Sequence, residues 1–583
     1  MKTTTQSHNS RVYRRLLHSP FAVALLSLLL LALSAPSSYA DSATWNLNPT
    51  NGDWNTADNW TPPTVPDGST DVATFDLSNT IAVSLSAATK VDSIIFNPGA
   101  SSYTIATPFE LNLGGLGIIN NSGVTQSFVV LQIPGNINFR NSATAGDAHF
   151  RTGPSGGVIT GVAFYDTASA ANATFVNRGG DLPGVTVFFD SSTAANAMVT
   201  NHPGNPNGAF TIFLNNSNAG TATIVSEGEG QGNSGVQFRG HSSAHRSTII
   251  AGGGGVGQGG QIVTFTDYTT AGSATIIANG GTRSSAPGGL IIFYSFLGGA
   301  ATAENSTLIA NSGSNGGLGG MISFSEATRG HNARVELADG TVLTIEFHRA
   351  PGTSLGSIEG AGRVILGANN LTTGKNNLDT TFSGIIEDGT SAGGSLTKVG
   401  TGNLTLTTAN SYTGGTIVNE GILLVNNTIG SATGTGAVQV MAGTLGGSGI
   451  IEGAVAVGTA RGPGAILGPG NGTIPGTLTI QNKLTLKQDA TCRIAINSST
   501  PAADQVIANG IRIRGAQIVF DDFGTSVLPS GTTFTVLSNT AATAITGTFS
   551  NLADGSTITV GSNTFEVSYE GGDGNDLTLT VVP

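Results

Sequence analysis

Three short motifs in this 583-residue chain have the residue types of catalytic or ligand-binding sites. Residues 352–356 spell Gly-Thr-Ser-Leu-Gly, the G-x-S-x-G pattern of a serine hydrolase, but that chemistry needs a strand-to-helix turn and the surrounding sequence predicts no helix. Residues 230–235 spell G-x-G-x-x-G but precede a predicted strand, whereas a phosphate cradle opens a helix. His241 and His245 could share a metal only on a helix, since in a strand they would lie about 13 Å apart. None of the three motifs predicts a site.

Carboxylate pairs are the remaining candidates for chemistry, because cleavage of polysaccharides uses two acids, or acids with calcium and a basic residue. Asp521 and Asp522 are adjacent, as are Glu387 and Asp388. Neighbours in a strand point to opposite faces, so these pairs are poor dyads unless they lie on loops. Residues 571–576 (Gly-Gly-Asp-Gly-Asn-Asp) begin like a calcium-binding nonapeptide, which functions as tandem copies, so a single imperfect copy predicts a turn.

Composition favours many short strands over a set of helical or α/β domains. Glycine accounts for 85 residues, while only 10% of the chain is charged and 6% is aromatic. Glycine and asparagine serve tight turns, and threonine, valine and isoleucine serve strands. Cys492 is the only cysteine, so neither an intrachain disulfide nor a thiolate metal cluster can form. The sequence therefore predicts an all-β protein.

Residues 1–40 have the pattern of an N-terminal signal helix. Four cations precede an apolar run at residues 21–33, and Ser38 and Ala40 place small residues at the cleavage positions. Loss of this segment, which has four cations and no acid, takes the formal charge from −12 to −16. Such an acidic chain argues against nucleic-acid or anionic-lipid partners, and no later apolar run is long enough to cross a membrane. We expect export to the cell surface, the extracellular space or the periplasm.

Phenylalanine recurs at intervals of 24 to 31 residues through the middle of the chain. The residues two positions before each phenylalanine, and those nine and eleven after it, are mostly apolar or small. This pattern indicates two strands per unit, with apolar side chains inward and Thr, Asn or Ser outward. Units that each cover the apolar face of the next form a solenoid. We therefore predict a parallel β-helix ladder over residues 111–342, right-handed as is usual for parallel connections. The eight anchors are Phe139, Phe164, Phe188, Phe213, Phe238, Phe265, Phe293 and Phe324.

Asn, Asp or Glu stands two residues after most anchors, with Gly240 and Ser295 as exceptions. Stacked coils would align these side chains in a column. Asn and Asp commonly bond the backbone at bends, and the two exceptions favour this interpretation. A calcium ladder of oxygen ligands is the alternative, although calcium needs several convergent oxygens.

All three tryptophans, Trp45, Trp54 and Trp60, lie near the start of the expected mature chain. The end of a solenoid exposes strand edges and core, which bulky aromatic side chains can cover. We therefore predict a Trp-rich N-terminal β cap over residues 41–110. A platform on which sugar rings stack is the alternative.

From residue 343 the pattern changes to short strands with glycine corners. Residues 394–425, which include Gly-Ser-Leu-Thr-Lys-Val-Gly-Thr-Gly and Asn-Ser-Tyr-Thr-Gly-Gly-Thr, resemble the autotransporter-associated β-strand repeat of exported bacterial proteins. The resemblance implies a passenger-like β-helix over residues 343–514. We place a C-terminal β cap at residues 515–583 and expect no autotransporter barrel, whose strand pattern is not found.

Together these features predict an exported, right-handed parallel β-helix with terminal caps. It would act as a scaffold or adhesin-like surface protein with no chemistry of its own. Its partners would be extracellular polysaccharide or cell-surface components, bound at glycine-rich loops such as residues 252–260 and 313–320. The alternative is a polysaccharide lyase or hydrolase on the same scaffold. We predict no catalytic, cofactor-binding or metal-ligating residue.

Overall fold

A computed structural model describes residues 41–130, 135–153, 160–228, 230, 232–255, 259–295 and 298–583. The signal helix predicted at residues 1–40 lies outside the described residues. Apart from one 3-10 turn at Ala57–Asn59, the regular structure of the described residues is entirely β. The strands form four sheets, and the parallel pairing of successive coils confirms the solenoid prediction.

Sheet 1 contains the anchor phenylalanines and has 16 strands. The ladder strands pair in parallel, and the register sets each anchor beside the anchor of the next coil, as Phe188, Phe213 and Phe238 show. Only the terminal pair, Ala43–Trp45 with Trp60–Thr61, is antiparallel. In spatial order the strands are Trp60–Thr61, Ala43–Trp45, Val72–Phe75, Thr89–Phe96, Leu111–Asn120, Ile137–Phe139, Thr160–Phe164, Gly184–Phe188, Phe210–Phe213, Gly235–Phe238, Ile262–Phe265, Leu290–Phe293, Met321–Phe324, Val342–Thr344, Arg363–Ile365 and Ile385–Glu387.

Sheet 2 has 20 strands and follows the second strand of each ladder coil. In Thr248–Ala251, Ile249 and Ala251 are buried and the other two side chains are half-buried, which is the predicted alternation. Only Ala502–Ala503 pairs antiparallel in this sheet. In chain order the strands are Ala82–Ser84, Thr104–Ala106, Ser127–Val130, His149–Thr152, Thr174–Arg178, Met198–His202, Thr223–Ser226, Thr248–Ala251, Thr275–Ala278, Thr307–Ala310, Arg334–Leu337, Ser357–Gly360, Thr380–Phe382, Asn403–Leu406, Ile422–Val425, Gly443–Gly447, Ala465–Pro469, Ala490–Asn497, Ala502–Ala503 and Gln517–Asp522.

The third side of the coil changes along the chain. In the ladder it is a bend in which one residue bridges to its equivalents in adjacent coils, through Thr144, Ser169, Thr193, Asn218, Ser243, Thr270, Thr302 and Arg329. From Gly352 this side widens into sheet 3, which has eight strands. These are Gly352–Leu355, Asn370–Thr373, Ser395–Lys398, Thr416–Val418, Val438–Val440, Val455–Val457, Leu484–Leu486 and Ile511–Ile513. Two strands and a bend therefore give way to three strands where the ladder ends.

Sheet 4 closes the C-terminal end with seven strands. Its first four are parallel, whereas its last three pair antiparallel and so end the stacking of coils. These last strands lie within residues 515–583, where the C-terminal cap is predicted. In spatial order the strands are Ile450–Ile451, Thr477–Ile480, Gln505–Ala508, Thr533–Asn539, Asp576–Val582, Asn563–Gly571 and Thr557–Val560.

The eight anchors form one continuous stack of buried rings. Neighbouring ring centroids lie 4.6 to 4.8 Å apart, and the planes differ by 9° or less. Strands in a sheet are about 4.8 Å apart, so in-register pairing stacks identical side chains face to face. Each interior anchor thus contributes its burial and two ring contacts of about 0.5–1.5 kcal/mol each.

A short column of buried polar side chains runs beside this stack. Asn177 Oδ1 accepts hydrogen bonds from the hydroxyls of Thr152 and Thr186 at 2.8 and 2.9 Å, and Asn177 Nδ2 donates to Asn201 Oδ1 at 2.9 Å. Asn201 Oδ1 also accepts from Thr211, and Asn201 Nδ2 donates to Ser226. All six side chains are fully buried. The expectation that polar residues of the ladder point outward is wrong here, because each polar group finds its partner inside the core.

Candidate functional site

The column of residues two after the anchors lies at the bend of each coil. Most of its members have left-handed backbones: Asn141, Asp166, Asp190, Asn215, Gly240, Asp267 and Glu326 have φ between 51° and 71°. The side chains bond the backbone of the preceding coil, since Asp166 Oδ2 accepts from the Asn141 N–H at 2.8 Å and Asp190 Oδ2 from the Asp166 N–H at 3.1 Å. These contacts support the bend interpretation. Among the described residues, no group of three or more His, Cys, Asp or Glu is placed to hold a metal.

The tryptophans form a packed cluster at the N-terminal end. Trp45, Trp54 and Trp60 are at most 1% exposed, and all three rings contact Phe75. Each indole N–H donates to a backbone carbonyl. Burial leaves no indole face for a sugar ring, so the stacking-platform alternative is wrong and these residues cover the core.

The short motifs noted in the sequence lie in different parts of the fold, and those that are fully described have structural roles. Gly352–Leu355 is a strand, so Ser354 does not sit at a strand-to-helix turn. The His241 ring stacks on Tyr268, and residues 571–576 form the turn of an antiparallel hairpin. Residues 229 and 231 lie outside the described part of the chain, so the conformation of the motif at residues 230–235 is only partly described.

Each carboxylate pair is divided between two structural roles. Asp521 forms an ion pair with Arg493 at 2.6 Å, while Asp522 Oδ1 accepts from two backbone N–H groups. Glu387 pairs with Arg363, and Asp388 accepts from the backbone of a neighbouring loop. The two acids of each pair therefore bond different parts of the fold.

A groove of about 470 Å³ near the C-terminal end does bring two acids to one cavity, Asp504 and Asp521. Burial raises the pKa of Asp504 to about 6, although both of its oxygens accept backbone N–H groups at 2.8 Å. Sequence reasoning missed Asp504. Its two backbone bonds join Gly476, just before the strand Thr477–Ile480, to Ala495 in the strand Ala490–Asn497, which is a structural use of the carboxylate.

In residues 394–425 two buried side chains, Lys398 and Tyr412, bond the corners of the coil. Lys398 is 1% exposed, and its Nζ donates to the carbonyls of Val399 and Gly400 at 2.8 Å and of Glu420 at 3.3 Å. Burial lowers the pKa of Lys398 to about 8. Tyr412 is fully buried with its hydroxyl 2.6 Å from Thr416 Oγ1. Lys398 and Tyr412 therefore have structural roles in this coil.

An open cavity lies where the bend of the ladder coils gives way to sheet 3. This junction cleft has a volume of about 630 Å³ and is lined by Arg329, His331, His348, Arg349, Ser354 and Lys375 among other residues. Arg329 is the last of the residues that bridge from coil to coil at the bend, the series that begins at Thr144. Ser354 lies on the first strand of sheet 3. The cleft arises because a corner at residues 346–351 must carry the chain from a bend to a full strand.

Backbone bonds fix this corner. The N–H of Glu326 donates to Phe347 O, and the N–H of Arg349 donates to Glu326 O. The ring nitrogens of His348 lie 2.7 and 2.6 Å from the carbonyl oxygens of Arg349 and Thr328. The walls of the cleft are thus tied to neighbouring coils, which makes the cavity preformed.

The cleft is cationic. Arg349 pairs with Glu326 at 2.8 Å, whereas Arg329 and Lys375 form no ion pair with any described residue. Lys375 Nζ instead donates to Ser354 Oγ at 3.2 Å. Among the described residues that line the cleft, none is Asp or Glu. The predicted glycine-rich loops do not form it, and no sequence motif marked Arg329, Arg349 and Lys375 as neighbours.

In the described part of the chain, no helix has the length and apolar character needed to span a membrane. Residues 396–425 match the family model described as Passenger-associated-transport-repeat. No curated protein matches the sequence. Among solved structures, the crystal structure of the Haemophilus influenzae Hap adhesin matches at 9% identity and a TM-score of 0.28. That match covers 88% of this chain and 63% of the adhesin chain.

The fold assignment rests on the strand pairings, which follow successive coils along the described chain. The repeat assignment rests on the family match, which falls inside the residues that carry the resemblance in the sequence. The described chain is a parallel β-helix, and its residues 396–425 are similar to the passenger-associated transport repeat.

Proposed function

We propose that this protein is an exported β-helical scaffold of the cell surface, which binds extracellular polysaccharide or other surface components and performs no chemistry of its own. The passenger-associated transport repeat supports export, because it is named for passengers that are transported. The signal pattern of residues 1–40 agrees with this direction.

One observation carries the proposal: the carboxylates that could perform chemistry are bonded within the fold, while the junction cleft presents cations that form no ion pair with any described residue. Asp388, Asp504 and Asp522 accept backbone N–H groups, and Glu387 and Asp521 are ion-paired. Acid–base catalysis requires a group within hydrogen-bond reach of the proton that it moves. Binding requires only a preformed cavity with a few convergent polar groups, which the junction cleft provides.

Polysaccharide cleavage is the second candidate, and the groove that Asp504 and Asp521 share favours it. A carboxyl group whose pKa is raised suits the general acid of glycoside hydrolysis, and a second carboxyl group lines the same groove. The ion pair of Asp521 with Arg493 and the two backbone bonds of Asp504 oppose this role. We therefore rank cleavage below binding.

The test is incubation of the purified protein with a panel of acidic and neutral polysaccharides, with assays for bound polymer and for newly released chain ends. We expect binding without new ends. Asp521→Asn is the informative variant, and Asp573→Asn, at an exposed turn, is its matched control. Release of ends that persists through purification and is lost only in Asp521→Asn would overturn the proposal and locate the active site.

A further inference from the structure

The junction cleft concentrates positive charge on an acidic protein. The whole chain has a formal charge of −12, yet Arg329, Arg349 and Lys375 converge on one cavity whose described lining contains no acid. Arg334, Arg363 and Arg493 are ion-paired with acids, whereas Arg329 and Lys375 form no ion pair with any described residue. A local excess of unpaired cations therefore points to an anionic ligand.

Hydroxyl and amide groups lie beside these cations. Ser354 and Thr372 are opposite each other on adjacent strands of sheet 3, and Asn370 is the partner of Gly352 in the same pairing. Asn370 Nδ2 donates to Thr372 Oγ1 at 3.0 Å, and Lys375 Nζ reaches Ser354 Oγ. All three polar side chains are half-buried on the outer face of the sheet. Such groups suit a ligand that has both negative charge and hydroxyls.

The size and placement of the cleft fit a short segment of a polymer. Its volume of about 630 Å³ lies within the range of about 300–1,000 Å³ typical of ligand pockets. Nucleic acid is disfavoured, because a long polyphosphate would be repelled by the acidic remainder of the chain. A glycan that has anionic groups and many hydroxyls can place one anionic group in the cleft and extend along the neutral threonine-rich strands.

We propose that the junction cleft binds an anionic glycan, with Arg329 and Lys375 contacting a carboxylate or sulfate group and Ser354, Asn370 and Thr372 contacting sugar hydroxyls. The inference rests on the proposed function and names its ligand class. Arg349, already paired with Glu326, lines the rim and contributes less.

The experiment is calorimetric titration of the purified protein with carboxylated, sulfated and neutral oligosaccharides of equal length, with inorganic sulfate and poly-glutamate as further arms. The double variant Arg329→Gln, Lys375→Gln removes both unpaired charges. The matched control, Arg246→Gln with Lys483→Gln, removes two exposed cations outside the cleft. All four side chains are exposed, so thermal unfolding should be the same in the three proteins.

We expect saturable binding of a carboxylated or sulfated oligosaccharide, weakened about 10- to 100-fold in the cleft variant, because each lost charge-assisted contact lowers affinity. Affinity should fall as salt rises and should be native in the control. The two acidic arms identify which anionic group is preferred. Equal affinity for neutral sugars, inorganic sulfate or poly-glutamate, or native affinity in the cleft variant, would overturn the assignment.

Failure of this inference is distinguishable from failure of the proposed function. Absence of acidic-glycan binding, with surface polysaccharides of another class still bound, would overturn the cleft assignment alone. Release of new chain ends would overturn the proposed function, and the cleft would still be supported if the double variant lowered affinity.

Discussion

Replacing Phe213 tests the phenylalanine stack at its centre. Its ring is fully buried and lies 4.8 Å from the rings of both Phe188 and Phe238. Phe213→Leu keeps most of the apolar volume but loses both ring contacts, which should cost about 1–3 kcal/mol. Phe213→Ala also leaves a cavity, and the total cost should be about 3–5 kcal/mol.

Hydrogen exchange followed by mass spectrometry is the suitable assay, because a long solenoid need not unfold in one step. Repeats are stabilised by their nearest neighbours, so protection should fall in the coils of Phe188, Phe213 and Phe238 and remain native in residues 396–425. The control is Phe347→Ala, since Phe347 is 71% exposed. If Phe213→Ala costs no more than Phe347→Ala, or loosens distant coils equally, the stacked-coil reasoning is refuted.

Three further predictions concern single side chains. Asn201→Leu should lower the free energy of unfolding in urea by about 1–3 kcal/mol for each buried partner that loses its hydrogen bond, namely Asn177, Thr211 and Ser226. An unchanged urea midpoint would contradict the buried polar column. Burial lowers the pKa of Lys398 to about 8 from 10.5, so between these pH values only the unfolded chain keeps the proton and stability should rise with pH by up to about 3 kcal/mol. Lys398→Met should remove that rise, and identical pH profiles for both proteins would argue against it. Burial opposes ionisation of Asp489, but hydrogen bonds from the loop at residues 459–462 hold its pKa at about 2. The stability that these bonds contribute should be complete above pH 3.8 and should disappear as the pH falls towards 2. An equal loss of stability in acid for Asp489→Asn would count against these bonds.

The ladder was predictable because large side chains recur in it at fixed offsets. The spacing of the anchors and their flanking residues predicts two strands and a bend, and the pairings of Phe188, Phe213 and Phe238 confirm it. The family match at residues 396–425 confirms the resemblance carried by Lys398 and Tyr412. In the ladder a local pattern recurs in register, so one coil predicts the next.

Features that depend on how coils meet were not predictable. Arg329, Arg349 and Lys375 are far apart in the sequence and converge only because the coil changes shape between them. A second left-handed position, seven residues after most anchors, is occupied by residues as different as Ala171 and His331, with φ of 49° and 52°. Glycine occupies three of these positions, Gly146, Gly220 and Gly272, and at the others the neighbouring coils hold the conformation against the intrinsic preference of the residue.

The inward Asn177 and Asn201 show the same limit for the core. Alternation predicts which residues share a face, but hydrophobic preference assigned asparagine to the outside. Their inward position is stable because successive coils supply hydrogen-bond partners: Asn177 donates to Asn201 at 2.9 Å, and Asn201 donates to Ser226 at 3.3 Å. Such a column can be recognised in sequence only when polar residues recur at an inward offset.

Titration of the purified protein with a carboxylated or sulfated oligosaccharide, followed by a chain-end assay on the same sample, tests most directly whether this β-helix binds without chemistry. We predict a saturable heat of binding that depends on Arg329 and Lys375, with no increase in chain ends. Release of new ends would contradict the proposed function, and a heat that does not saturate with any acidic oligosaccharide would contradict the cleft assignment.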